Sequence, residues 1–231
     1  YPNTYVWKVP DQMPSRIASL LDPLACACRA VELAQRSPGV LEDSLNVNST
    51  VLIMGDGAIG LFAAFYARLL GVRQVLMIGA SEYKLNAAKD FSGIDAGINA
   101  LTTTFEDRQE TVWSLTSGKG PDTVINCVGS SATFREGATL MKRMGTMVDI
   151  GNAINPSPVE FDIQKDLTFK HGTYIGMMAT TPSIFNKAFT LLMQHDKFHF
   201  DKIFTGKYTL ESLQSALEDA NSPEYIKGYV M

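Results

Sequence analysis

The sequence predicts an α/β protein built on a doubly wound parallel sheet. Three observations carry this expectation. Strand-like and helix-like segments alternate from Val51 to Met177 with short connections, the pattern of a parallel sheet covered on both faces. Val51-Leu52-Ile53-Met54 is wholly apolar and bounded by glycine, as suits a strand buried on both sides. A chain of 231 residues, 45% hydrophobic and 19% charged, has enough apolar material for a real core.

Taken in order, residues 1–14 mix aromatics with Pro2, Pro10 and Pro14 and read as the end of a strand leading into a turn. Pro14 suits a first helical turn, where its missing N–H costs nothing, and a helix over 15–21 follows. Asp22-Pro23 is expected to break that pattern before a second helix over 24–35, with Leu24, Cys28 and Val31 on one side. Residues 37–49 are loop-like. After the strand at 51–54, the expected elements are a helix over 58–70 stopped by Gly71, a strand at 75–78 and a helix over 82–91. A weaker strand at 96–99, a helix over 105–115, a strand at 123–127, a helix over 132–144, a strand at 146–150 and a sixth strand at 173–177 complete the sheet. The tail reads as an amphipathic helix over 182–195, a strand at 203–208, a helix over 210–221 and a terminal apolar run at 229–231.

Twenty bases against 24 acids give a net charge of −4, which argues against nucleic acid or an anionic membrane surface as partner. The longest nearly apolar run, 58–67, is far short of the about 20 residues that span a bilayer. No leader pattern stands at the N-terminus. Three cysteines, Cys26, Cys28 and Cys127, make no disulfide framework and suit a reducing compartment, so a cytoplasmic protein is expected.

Gly55-Asp56-Gly57-Ala58-Ile59-Gly60 fits G-x-G-x-x-G. Alone the pattern is weak, and an ordinary strand–helix turn is its bland alternative. Its place directly after an apolar strand and at the head of a helix is the context that points to dinucleotide binding. Gly55 permits the turn, Gly57 lets the backbone approach a pyrophosphate, and Gly60 lets helix and sheet pack closely. The acid that usually holds the adenosine ribose hydroxyls at the end of the next strand is missing, because Gly79, Ala80 and Ser81 stand there.

These residues resemble the medium-chain dehydrogenase/reductase family, the zinc-type alcohol, polyol and threonine dehydrogenases. The resemblance lies in Lys8-Val9-Pro10-Asp11, Leu21-Asp22-Pro23-Leu24-Ala25 and the stretches 51–61, 82–89, 122–129 and 144–151, in the family's order. It implies that residues 1–22 are the end of a GroES-like catalytic domain and linker. Residues 23–177 are then the NAD(P)-binding domain, and 178–231 return toward the catalytic domain. It also implies that most of the catalytic domain, with its cysteine and His-Glu zinc ligands, lies outside this chain.

Carried over residue by residue, the resemblance puts Asp22 at the third zinc-ligand position, although Asp before Pro is by itself a turn residue. Ala58 and Ile59 match contacts to pyrophosphate and nicotinamide, and Lys84 a basic residue near the adenosine ribose. Cys127, Val128 and Gly129 match the wall near the adenine, while Ile150, Gly151 and Asn152 match contacts to the nicotinamide carboxamide. Thr173 and Ile175 match a second carboxamide contact, and Lys227 a basic residue reaching the pyrophosphate. Cys26 is expected beside the nicotinamide. His195 and His199 have helical spacing for a shared metal but read better as a helix end.

The implied activity is that of an NAD(P)-dependent zinc-type dehydrogenase. It passes hydride between nicotinamide and a small alcohol, polyol or ketone, with zinc as Lewis acid in the complete enzyme. A zinc-free quinone or enoyl reductase of the same superfamily is the alternative enzyme, and Asp22-Pro23-Leu24-Ala25 disfavours it. A nucleotide-binding module without turnover is the alternative of another class. With no acid at Gly79, and with the Ala80 and Ser81 N–H groups, the Ser81 hydroxyl and Lys84 available to a 2′-phosphate, NADP(H) is expected over NAD(H). The apolar segment 173–177 is the expected edge strand of a homodimer.

Overall fold

The computed structural model describes residues 6, 8–36, 45–153 and 158–231. The opening 1–5 and most of the loop expected over 37–49 lie outside the described residues. Six strands form one parallel sheet in the order β3-β2-β1-β4-β5-β6. They are β1 (Thr50–Met54), β2 (Gln74–Gly79), β3 (Ala96–Asn99), β4 (Thr123–Asn126), β5 (Thr146–Asp149) and β6 (Thr173–Gly176). Each lies within a residue or so of its expected place.

Side chains on neighbouring strand positions point to opposite faces, and the core divides accordingly. Val51 and Ile53 of β1, with Val75 and Met77 of β2, pack beneath helices α2 (Leu21–Gln35), α3 (Ala58–Leu69) and α7 (Pro182–Leu192). Leu52, Met54, Leu76 and Ile78 face the other way, toward α5 (Phe105–Leu115) and α6 (Ser131–Leu140). Each fully buried aliphatic side chain contributes about 1.5–3 kcal/mol, and all five residues of β1 are buried. The tail joins the first of these cores: Phe200 and Phe62 meet edge to face at 6.0 Å, and Ile203 and Ile226 are buried with them.

Several boundaries differ from expectation for identifiable reasons. Asp22-Pro23 does not break a helix. After the short α1 (Ser15–Ala18), α2 begins at Leu21, so Pro23 stands in a first turn whose N–H groups have no intrahelical partner. The expected boundary at residue 22 thus falls inside α2. Helix α6 stops at Leu140 rather than 144, because Met141 turns extended (φ −58°, ψ 135°). Lys170 Nζ then donates to the carbonyls of Ala138, Thr139 and Met141, which satisfies the end of the helix.

The helix expected over 182–195 ends at Leu192, and a separate turn α8 (His195–Phe198) follows, closed by His199 in the left-handed region (φ +51°). His195 and His199 therefore bracket a four-residue turn. Helix α9 (Leu213–Asp219) is shorter than expected, and the terminal run belongs to β8 (Lys227–Val230), paired in parallel with β7 (Phe204–Tyr208). A π-helical turn at Ile163–Thr168 has no counterpart in the sequence expectation; Arg135 pairs with its Asp166.

Candidate functional site

Strand order reverses between β1 and β4, and in a doubly wound sheet ligands bind outside the carboxyl ends of the strands at that point. Gly55 lies there with φ +108°, and its N–H donates to the Ile78 carbonyl at 2.8 Å. A Cβ on Gly60 would stand 2.0 Å from the Gly55 carbonyl, so α3 (Ala58–Leu69) packs this close only on glycine. Gly57, the N-cap of α3, is the reverse case: among the described residues a Cβ added there would meet nothing within 4 Å, and no side chain caps the helix. Ala58, Ile59 and Gly60 thus open a helix whose first-turn N–H groups have no capping side chain, beside an open face. That is the arrangement which attracts a phosphate.

The loops after β4 and β5 close against this turn. A Cβ on Gly55 would meet Val128 Cγ2 at 2.8 Å, one on Gly151 would meet the Val128 carbonyl oxygen at 2.3 Å, and one on Gly129 the Gly151 carbonyl oxygen at 2.9 Å. Asn126, fully buried, organises the crossing: Nδ2 donates to the Val128 carbonyl (3.0 Å) and to Asp149 Oδ1 (2.7 Å). Asp149 Oδ1 also accepts from Asn152 Nδ2 at 3.0 Å, while Asn152 Oδ1 is buried with no partner among the described residues. A buried acceptor without a donor is costly and suits the amide of an incoming ligand. Burial, with the Asp149 charge second, pushes the Cys127 thiol up to about 12, so Cys127 lines the crevice as a protonated, unreactive group.

The place after β2 is occupied. Asp56 Oδ2 accepts from the N–H groups of Ala80 and Ser81, both at 2.8 Å, and a Cβ on Gly79 would lie 2.6 Å from the same oxygen. These are the donors the sequence assigned to a 2′-phosphate; they are already engaged, and the space at Gly79 is filled. Ser81 also caps helix α4 (Glu82–Ser92), accepting from the Lys84 N–H at 3.4 Å. Lys84 sits in the first turn of α4 and makes no salt bridge among the described residues.

Three expected site residues are placed elsewhere or partly so. Thr173 opens β6 opposite Thr146, with its N–H on the Gly145 carbonyl, about 10 Å short of the carboxyl end of the strand. The structure therefore does not bring Thr173 to the crevice. Ile175, opposite Val148, is one residue from that end and packs on the core. Lys227 stands on β8 opposite Phe204, in the two-stranded sheet rather than the six-stranded one. Asp22 is in the first turn of α2, one turn before Cys26, whose thiol is raised by burial and then by Asp22. Among the described residues no three metal-binding side chains come together. Asp56, Asn126 and Asp149 were missed; an acid inside a glycine turn and polar residues at strand ends were the available signals.

The family model of zinc-binding dehydrogenases matches residues 58–194, which begins at the head of α3 just after the glycine turn and takes in five of the six strands of the sheet. The chain belongs to the zinc-binding dehydrogenase family. Among its relatives in the family, sorbitol dehydrogenase of Halalkalibacterium halodurans is 29% identical over 221 residues, covering 95% of this chain and 60% of that protein. An alcohol dehydrogenase structure from Thermotoga maritima superposes with a TM-score of 0.86 at 29% identity, over 100% of this chain and 61% of that one. A zinc-binding dehydrogenase from Sinorhizobium meliloti, bound to NADP, shares the fold with a TM-score of 0.84 at 23% identity, over 97% of this chain and 62% of that one. The chain therefore spans about three-fifths of the dehydrogenases it matches. Among the described residues no helix is long and apolar enough to cross a membrane.

Proposed function

We propose that this chain is the cofactor-binding part of an NAD(P)-dependent zinc-type dehydrogenase acting on a small alcohol or polyol and the matching ketone. The observation that carries the reading is the α3 terminus, which no side chain among the described residues caps, beside the open face of Gly57 where the strand order reverses. The relatedness to a sorbitol dehydrogenase supports the substrate class.

When bound, a nicotinamide cofactor supplies the hydride acceptor or donor. The chain's own part is to hold and orient it. The N–H groups at Ala58 and Ile59 bind the pyrophosphate, Val128 and Ile150 wall the crevice, and Asn152 Oδ1 accepts from the carboxamide amide. Asp22 and Cys26 do not make a zinc site by themselves, since a catalytic zinc needs three protein ligands. In the whole enzyme we place zinc on Asp22 together with ligands outside this chain.

The division at residues 22 and 177, a homodimer joined along β6 and a cytoplasmic setting belong to the same proposal. The dimer is supported by the edge position of β6 and the cytoplasmic setting by the free Cys26, Cys28 and Cys127. Fluorescence titration with NADH and NADPH tests the binding, and turnover across a panel of polyols and their ketones, with and without a zinc chelator, tests the chemistry. Absence of binding by either nucleotide overturns the reading. Binding without turnover by the full-length protein favours the nucleotide-binding module.

A further inference from the structure

We infer that Asp56 is the residue that reads the adenosine ribose, and that it selects for NAD(H) against NADP(H). The inference rests on the dinucleotide reading above and concerns one part of that site. In doubly wound dinucleotide folds the ribose hydroxyls are held by an acid about 20 residues beyond the glycine turn, at the end of the second strand. Here that position is Gly79, which has no side chain. A carboxylate is nevertheless present in the space such an acid would enter: a Cβ on Gly79 would lie 2.6 Å from Asp56 Cβ and Oδ2 and 2.7 Å from Cγ. The carboxylate comes from the second residue of the glycine turn and reaches across from the end of β1 to the end of β2.

Its bonding fits the role. Asp56 is 8% exposed, and the Ala80 and Ser81 N–H groups hold Oδ2 from the entry of α4, which fixes the side chain. Oδ1 accepts no hydrogen bond among the described residues and remains available to a ribose hydroxyl. A 2′-phosphate, carrying about −1.5 to −2 charges at neutral pH, would instead face a fixed carboxylate. It would also find the two backbone donors nearest Gly79 already used. Of the donors the sequence offers a 2′-phosphate, Lys84 and the Ser81 hydroxyl remain, and Ser81 Oγ already receives the Lys84 N–H. The unphosphorylated ribose is thus the better fit, although the bare glycine at 79 by itself suggested NADP(H).

The test uses full-length protein and four probes: NADH and NADPH by their fluorescence, and ADP-ribose and its 2′-phosphate by calorimetry, which needs no turnover. Wild type is expected to bind each unphosphorylated probe at least about tenfold tighter than its 2′-phosphorylated partner. Asp56→Asn, which keeps an acceptor for Ala80 and Ser81 but removes the charge, is expected to narrow the ratio mainly by tightening the phosphorylated probes. The double variant D56A/G79D, which returns an acid to the end of β2 once the clash is gone, is expected to restore it. Equal or tighter binding of the 2′-phosphates by wild type, or an unchanged ratio in a folded D56N protein, overturns the inference while leaving nucleotide binding intact. If all four probes fail to bind folded wild-type protein, the dinucleotide reading falls and this inference with it.

Discussion

Arg108 on α5 grips Glu136 on α6 through two parallel bonds, Nε to Oε1 at 2.6 Å and Nη2 to Oε2 at 2.8 Å. Both side chains are nearly buried, at 11% and 13% exposure, and Arg108 Nη1 also donates to the Thr103 carbonyl at 2.7 Å. This pair ties the two helices that cover the second face of the sheet. Glu136→Ala leaves a partly buried guanidinium unmatched and should cost about 1–3 kcal/mol. Replacing both residues, as in R108M/E136L, should cost less than Glu136→Ala alone. Urea midpoints of the three proteins check this, and a double variant weaker than the single one would contradict it.

The glycine turn should separate folding from binding. Gly60→Ala drives a Cβ to 2.0 Å from the Gly55 carbonyl, a backbone atom that cannot swing away, and should lose about 1–3 kcal/mol of stability. Gly57→Ala meets nothing within 4 Å and adopts an ordinary backbone (φ −79°, ψ 178°), so stability should change by no more than about 0.5 kcal/mol. It does place a methyl group where the pyrophosphate approaches, and NADH affinity should fall about tenfold or more. Thermal unfolding and fluorescence titration of the two variants measure the two effects separately.

Burial pushes the thiols of Cys28 and Cys127 up to about 12 from an ordinary 9.0, with Glu32 and Asp149 adding to the shift. Below pH 9 the thiols are protonated in folded and unfolded chains alike. Above it the unfolded thiols ionise while the folded ones keep their protons, so the folded state binds more protons and stability falls as pH rises from 9 toward 12. The slope is at most about 1.4 kcal/mol per pH unit for each thiol. Urea midpoints at pH 8 and pH 10 should drop in wild type and drop less in C28A/C127A. At pH 8, iodoacetamide should label Cys28, which is fully buried, only after unfolding.

Edge strand β6 donates inward through the Thr173 and Met177 N–H groups, which bond Gly145 and Asp149. The alternation of a strand leaves the N–H groups of Tyr174 and Gly176 facing the free edge. Gly176 is exposed, with nothing within 4 Å of an added Cβ. If two copies join along this edge, Gly176→Pro removes one of the joining donors and should shift a dimer toward monomer without lowering the unfolding temperature by more than a few degrees. Light scattering across micromolar concentrations reads the mass; a variant that remains as dimeric as wild type would exclude this edge.

The parallel sheet was legible because its signals are local. An apolar run such as Val51–Met54, buried on both faces, a helix stopped by Gly71 in a left-handed turn (φ +84°), and a glycine turn between strand and helix each act within a few residues. The boundary errors arose where a distant group intervened. Lys170 caps α6 from about thirty residues away and ends it early, and no pattern inside 132–144 announces that.

The encounter of Asp56 with Gly79, Ala80 and Ser81 belongs to the tertiary structure alone. The two segments meet because β1 and β2 pair in register, Met54 opposite Ile78, which delivers their carboxyl ends side by side. Sequence showed an acid inside a glycine turn and a bare glycine at a strand end as two separate facts. Whether a carboxylate fills the place of a missing side chain depends on strand pairing and register, which are set by burial of the whole sheet and not by either segment. The same holds for Thr173: its register against Thr146, fixed by that pairing, carries it away from the crevice that its neighbours line.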